Sequence, residues 1–227
     1  MIKHALIVLF IFSNLLISSV SYADQDEQHG CNDPFITSAT KNGYTWTLTS
    51  KFAQILREAE RRYGQRRHLW TLLGIEFTTD KQPKVWYPYA QQGEKFIIVQ
   101  LTQKARCNPR EALFQLSHEV IHLLSPIGGG IQSNVFEEGL ASYFAIESLK
   151  KQGYHIKKLD RYISHSHYQA AYQAIASLYN TYPQSDAIIA TLRQQVTTFK
   201  QLSPQQLQHA FPKISLTLIQ QLLRPFE

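Results

Sequence analysis

Two histidines four residues apart, His118 and His122, constrain the fold of this chain more than any other feature of its sequence. On an α-helix they project from one face, one turn apart, and two imidazoles so placed can share a tetrahedral Zn²⁺. The side chain of Glu119, next to His118, could reach a metal-bound water without itself binding the metal. The segment therefore predicts a zinc-binding helix. The alternative is a buried helix with two surface histidines and a chance match to the pattern.

The residues before the motif also indicate a helix. Asn108-Pro109-Arg110-Glu111 has an asparagine suited to the N-cap, a proline suited to the first helical position and a glutamate three residues after the cap. The helix should run to about Ser125, where Pro126 and the glycines at 128–130 end it. The two histidines are thus predicted to lie on a helix, as the metal site requires.

A zinc site with two histidines needs a third protein ligand and an open position for water or substrate. A second helix is predicted from about Asn134, and its first turn carries Glu137 and Glu138. Glu137 has the capping-box spacing from Asn134, which gives it a structural role. Glu138 has no such role, and Gly139 beside it would let this helix approach the zinc helix closely. We therefore predict Glu138 as the third ligand, with Glu137 as the alternative.

The chain divides into a β-containing part at about 44–107 and a helical part at about 108–227. Short β-rich runs at 72–79, 84–89 and 95–102 predict a sheet of about three strands. Apolar spacing predicts further helices at 49–63, 167–182, 186–199, 204–211 and 215–223. The expected fold class is α+β, with a small N-terminal mixed sheet and the active-site helix followed by an all-helical C-terminal half.

Residues 1–23 have the layout of a secretory signal peptide. Lys3 precedes an apolar run at 5–20, and small residues at 21 and 23 suit a cleavage site. An uncleaved membrane anchor is the alternative, although the run is short and interrupted by polar residues. We expect residues 24–227 to form a single domain that is exported, periplasmic or secreted, without stable membrane insertion.

The sequence has two cysteines, Cys31 and Cys107. In an oxidising export compartment an isolated pair usually bonds, so we predict a disulfide between them. Two unpaired thiols are the alternative.

The formal net charge of +6 is spread along the chain, apart from five arginines within residues 57–67. A solvated helix face accounts for that cluster, and no nucleic-acid-binding motif accompanies it. We therefore expect no nucleic-acid partner. The sequence does not indicate the oligomeric state.

His118-Glu119-x-x-His122, followed by Glu138-Gly139-Leu140-Ala141, resembles the gluzincin metallopeptidases. The aminopeptidase N type is the most similar, since its second motif reads Asn-Glu-Gly-Phe-Ala, and the resemblance covers roughly 95–182. It implies a zincin-like fold with one zinc ion per chain, bound by His118, His122 and Glu138, and with Glu119 as general base. It also implies that the strand at 95–102 is an edge strand that lines the substrate cleft and pairs with an extended peptide.

In the resembled family a tyrosine on a later helix stabilises the oxyanion of the reaction. Tyr168 stands at about the corresponding place, with His165, His167 and Tyr172 as rivals. A core aromatic stripe formed by Tyr168 and Tyr172 is the alternative without a catalytic role.

The sequence departs from the aminopeptidases in four respects. The gap between the two motifs is shorter, Leu123-Leu124 replaces a tryptophan-containing continuation, and Ala145 stands where an acidic residue often follows. The Gly-x-Met-Glu-Asn segment that holds a substrate's free amine is also missing. The resemblance therefore implies a zinc-dependent peptidase acting on peptides or proteins, but not an aminopeptidase. The alternatives are an exported zinc-binding protein without activity, an amide hydrolase acting on cell-wall peptides, and a structural protein with a chance motif.

Overall fold

A computed structural model describes residues 36–40, 43–67, 69–91, 94–126, 132–156, 163 and 166–227. These residues all belong to one compact unit, 32–227. The predicted signal peptide lies outside the described residues, as does Cys31. Cys107 is disulfide-bonded, and its pairing with Cys31 stays a prediction.

The five strands of the described residues form two sheets. The first is an antiparallel hairpin of β1 (Ile36–Thr40) and β2 (Gly43–Trp46). The second contains β3 (Trp70–Thr78), β4 (Lys84–Gln91) and β5 (Glu94–Thr102), with β5 in the middle, parallel to β3 and antiparallel to β4. The predicted three-stranded sheet is thus present and mixed, whereas β1 lies before the part of the chain predicted to contain strands.

Because β5 is a central strand, the prediction that residues 95–102 form an edge strand open to an extended peptide is wrong. Both of its backbone edges are occupied, one by β3 and the other by β4. β4 is an outer strand of the described sheet. It carries Pro88 at an irregularity of its pairing between Trp86 and Tyr89, and proline, which lacks an N–H donor, is tolerated in such a strand.

Among the described residues, helix α1 precedes the three-stranded sheet, and the other helices follow it and make up most of the rest of the chain. Their bounds are α1 (Thr47–Tyr63), α2 (Gln103–Arg106), α3 (Pro109–Leu123), α4 (Val135–Lys151), α5 (Ser166–Thr181), α6 (Ser185–Gln195), α7 (Pro204–Ala210) and α8 (Leu216–Leu223), with a short 3-10 helix at Phe199–Gln201. The chain is therefore a mixed α/β protein whose sheet precedes a helical half, as predicted at that level. None of these described helices combines the length and the apolar character needed to cross a bilayer.

Side-chain caps start the two helices that carry the candidate ligands. The Asn108 side chain accepts a hydrogen bond from the Glu111 N–H at 3.1 Å, and Pro109 occupies the first position of α3. The Asn134 side chain accepts one from the Glu137 N–H at 3.0 Å at the start of α4. Both predicted helix starts are confirmed, because the side-chain oxygen satisfies a backbone donor that has no partner inside the helix.

Gly139 faces α5, whereas the sequence suggested that it lets α4 approach the helix of the two histidines, α3. A Cβ at this position would lie 2.4 Å from the Ala171 carbonyl oxygen and 2.8 Å from an Ile175 side-chain carbon. The small residue is therefore required by the packing of α4 on the helix that carries Tyr168.

Arg193 of α6 joins the C-terminal ends of α1 and α3. Its side chain is buried and donates to the carbonyls of Tyr63 at 2.5 Å, Gly64 at 2.6 Å and Leu124 at 2.8 Å. Carbonyls at a helix end have no hydrogen-bond partner within the helix. A buried guanidinium that donates to several of them therefore holds both helix ends in place.

Candidate metal centre

Packing of α3 against α4 brings His118, His122 and Glu138 together. One potential ligand atom from each lies within 4.8 Å of the other two. The distance from Glu138 Oε2 to His118 Nε2 is 3.1 Å, and that from Glu138 Oε1 to His122 Nε2 is 3.5 Å. Ligands about 2.0–2.1 Å from a tetrahedral zinc ion are about 3.3 Å apart. The two distances join different oxygens of the Glu138 carboxylate, and the three side chains are close enough to hold one metal ion. The set matches the predicted ligands.

Glu137 contacts the opposite ring nitrogen of His122. Its Oε1 is 2.9 Å from His122 Nδ1, so Nδ1–H can donate to the carboxylate and leave the Nε2 lone pair for a metal. Glu137 thus belongs to a carboxylate–histidine pair behind the ligands, and Glu138 is the glutamate that faces both imidazoles. Capping-box spacing from Asn134 pointed only to a role at the helix start, and no feature of the sequence indicated the contact with His122.

Ser133 is a second site residue that the sequence did not indicate. Its hydroxyl donates to Glu138 Oε1 and so orients the carboxylate from the side away from His118 Nε2. The Ser133 carbonyl in turn accepts a hydrogen bond from the Phe226 N–H at 2.9 Å. The extended segment after α8 therefore supports Ser133, which lies just before the helix that carries Glu138.

The site contains three buried carboxylates, those of Glu119, Glu137 and Glu138, with side chains almost wholly removed from solvent. Burial opposes the charged form of Glu138, but attraction to His122 and a hydrogen bond from His118 outweigh it and lower its pKa to about 2. Burial likewise opposes protonation of His122, but Glu138 and Glu137 raise its pKa to about 10. The carboxylates thus favour positive charge among the imidazoles, which a divalent cation bound to Nε2 would supply.

Glu119 lies at the wall of a cleft of about 360 Å³ beside the candidate ligands. His118, Ser142 and Tyr168 line the same cleft. Burial raises the pKa of Glu119, with the charge of Glu138 adding to the effect and the two histidines opposing it. The Ser142 hydroxyl is buried and has no hydrogen-bond partner among the described residues, so it is available to a molecule in the cleft.

Tyr168 differs from its rivals in facing this cleft. Its ring lies 5.9 Å from the His118 ring, nearly edge-on, and burial followed by the charges of Glu138 and Glu119 raises the pKa of its hydroxyl. Tyr172 is buried and stacks on Tyr143 at 5.9 Å, which is the core role considered for both tyrosines.

The two histidine rivals do not share this position. His167 is exposed and lines a different cavity, beside Phe226 and Arg224. His165 lies outside the described residues. Among the described candidates for oxyanion stabilisation, Tyr168 alone lines the cleft with His118 and Glu119.

Comparisons with protein-family models, with curated proteins and with solved structures gave no match. The site is therefore interpreted from its own residues and their geometry.

Proposed function

We propose that this protein is an exported zinc-dependent peptidase of the gluzincin type, with a zincin-like fold. The observation that carries the proposal is the convergence of His118, His122 and Glu138 from two helices, with Glu119 beside them at an open cleft. A divalent cation fits this donor set, because two imidazoles and one carboxylate are the ligands that zinc takes in hydrolytic sites.

Zinc held by His118, His122 and Glu138 would lower the pKa of its water towards ~7 and polarise the carbonyl of the scissile peptide bond. Glu119 accepts the proton of the attacking water and delivers it to the leaving amine. Its raised pKa brings the carboxylate closer to the pH at which it must both take and release a proton.

The neighbouring residues hold this arrangement and complete it. Tyr168, whose raised pKa keeps the hydroxyl protonated, donates a hydrogen bond to the oxygen of the carbonyl as negative charge develops. Glu137 keeps His122 in the tautomer that offers Nε2, and Ser133 orients Glu138.

The presence of Glu119 at the cleft favours catalysis over a metal-binding protein without activity. The missing amine-binding segment separates the proposed specificity from that of aminopeptidases. An amide hydrolase acting on cell-wall peptides would use the same residues, so the substrate must be identified by experiment.

The first test uses the mature chain, residues 24–227, purified without chelator. We expect about one zinc per chain by elemental analysis and chelator-sensitive cleavage of a peptide library. Glu119→Gln should keep the zinc and lose turnover, because the amide cannot accept the proton, whereas His118→Ala should lose the zinc as well.

Two results would overturn the proposal: a chain that does not bind zinc, or full peptidase activity in Glu119→Gln. Digestion of isolated cell walls in parallel distinguishes the cell-wall amidase, which would release wall fragments and leave the peptide library intact.

A further inference from the structure

The cleft extends from the candidate metal ligands along α3 to a region with two lysines. Glu111 and Gln115 of α3 line it on the way, and Lys81 and Lys104 line its far end. With a rise of 1.5 Å per residue, the helix from His118 back to Glu111 covers about 10 Å. Glu111 is thus separated from His118 by the length of a short peptide, and both lysines line the same cleft.

Neither lysine has an ion-pair partner among the described residues. Lys81 is exposed in the connection between β3 and β4, and Lys104 is exposed on α2. Lys84, close by, differs in that its ammonium is 2.6 Å from Asp80 Oδ2. Two ammonium groups are therefore free to contact a molecule in the cleft.

One acidic residue lines this end of the cleft, and its carboxylate is already engaged. Glu111 Oε1 accepts a hydrogen bond from Gln115 Nε2 at 2.9 Å, and Glu111 lies in the first turn of α3, where the helix dipole stabilises its charge. Gln115 is held in turn by Thr102, whose N–H donates to it at 2.9 Å. Glu111 offsets one of the two positive charges at most.

We propose that Lys81 and Lys104 form a carboxylate-binding subsite that selects peptides with an acidic group a few residues from the cleaved bond. This inference rests on the proposed peptidase function. An extended peptide advances about 3.3–3.5 Å per residue, so about three residues cover the 10 Å of α3 between His118 and Glu111, and a peptide a few residues longer reaches past it along the cleft. The acidic group is a terminal carboxylate or an Asp or Glu side chain, since both present the same anion to a lysine.

The test measures binding by zinc-loaded Glu119→Gln protein, in which peptides are not turned over. The probes are N-acetylated, alanine-rich hexapeptides of three kinds: one with a free C-terminal carboxylate, one with an amide end, and a set with an amide end and a glutamate at each position in turn. Isothermal titration calorimetry gives Kd. We expect the acidic peptides to bind about threefold to tenfold more tightly than the neutral one, and less so at high salt.

Adding Lys81→Gln and Lys104→Gln together should remove this preference and leave the affinity for the neutral peptide unchanged. Lys84→Gln is the matched control and should keep the preference, because Lys84 is paired with Asp80. Tighter binding of the free-acid peptide alone identifies a terminal carboxylate, and tighter binding of one glutamate peptide identifies a side chain.

Equal affinity for acidic and neutral peptides, no binding of any of them, or a preference that survives the double substitution would each overturn the subsite. Cleavage of the same peptides by the parent protein is measured separately. Lysine-dependent binding without cleavage would support the subsite and contradict the peptidase function. Zinc-dependent cleavage without charge preference would support the peptidase function and contradict the subsite.

Discussion

His122 lies between two glutamates, and each of its ring nitrogens contacts a different carboxylate. Nδ1 is 2.9 Å from Glu137 Oε1, and Nε2 is 3.5 Å from Glu138 Oε1. Consecutive residues of one helix can contact both sides of the ring because the imidazole inserts between them. At the scale of single residues, the proposed zinc site therefore depends on Glu137 as well as on its three ligands.

Substitution of Glu137 tests this dependence. Glu137→Ala should weaken zinc binding about 10-fold to 100-fold, because the His122 tautomer and ring orientation lose their support. Glu137→Gln should lose less, since the amide oxygen can still accept from Nδ1–H. Competition with a chromogenic zinc chelator measures both affinities. Zinc affinity unchanged in Glu137→Ala would show that the contact does not hold the ligand.

Tyr168 can be tested by removing its hydroxyl alone. If this group stabilises the oxyanion, Tyr168→Phe should lower kcat roughly 100-fold while zinc content and KM change little. Tyr172→Phe is the matched control, because Tyr172 stacks on Tyr143 away from the cleft. Equal kcat in the two variants would assign Tyr168 to packing against His118 and Phe226.

At the scale of elements, the close approach of α4 to α5 sets the distance between Glu138 and Tyr168. Gly139 is the contact point, since an added Cβ would meet the Ala171 carbonyl oxygen at 2.4 Å. A backbone oxygen cannot move aside as a flexible side chain can, so any larger residue must separate the two helices.

Gly139→Ala should therefore lower the free energy of unfolding by about 1–3 kcal/mol, as measured by urea titration. It should also reduce kcat, because Tyr168 moves relative to the ligands on α3 and α4. Gly74→Ala is the control, since nothing lies within 4 Å of a Cβ at that strand position. Comparable stability of the two variants would contradict the tight helix contact.

At the scale of the whole molecule, Arg193 connects the late helix α6 to the end of α3, the helix that carries His118 and His122. Besides the carbonyls of Tyr63 and Gly64 at the end of α1, it donates to the Leu124 carbonyl at 2.8 Å and to the Ser125 hydroxyl at 3.3 Å. Burial lowers the pKa of its guanidinium to about 10, with the charge of Arg67 adding to the effect, so it stays protonated at neutral pH.

Arg193→Met keeps much of the side-chain volume but removes every donor. The carbonyls of Tyr63 and Gly64 then lose this donor, while the Leu124 carbonyl keeps only the Arg67 N–H. We expect the free energy of unfolding to fall by about 3 kcal/mol or more. Arg57→Met, at an exposed position of α1, should change stability by less than about 0.5 kcal/mol. Thermal unfolding of the two variants provides the comparison, and similar melting temperatures would contradict the role of Arg193.

Local signals in the sequence account for the parts of the fold that were predicted correctly. Asn108 and Pro109 mark the start of α3, and Asn134 marks that of α4, because a cap is a hydrogen bond between residues three positions apart. The histidine pair needs only the helical repeat. Strand order has no such local signal: the edge position of residues 95–102 was implied only by the family resemblance, and β5 is in fact central.

The sequence by itself determined that His118, Glu119 and His122 lie on one helix and that Glu138 opens the next, since spacing and caps act within a few residues. Only the tertiary structure decided that Glu138 faces both imidazoles, that Glu137 supports His122, and that Lys81 and Lys104 share the cleft. These arrangements depend on how α3 packs against α4 and on where the ends of the strands meet α3. Such contacts join residues far apart along the chain, and no local pattern records them.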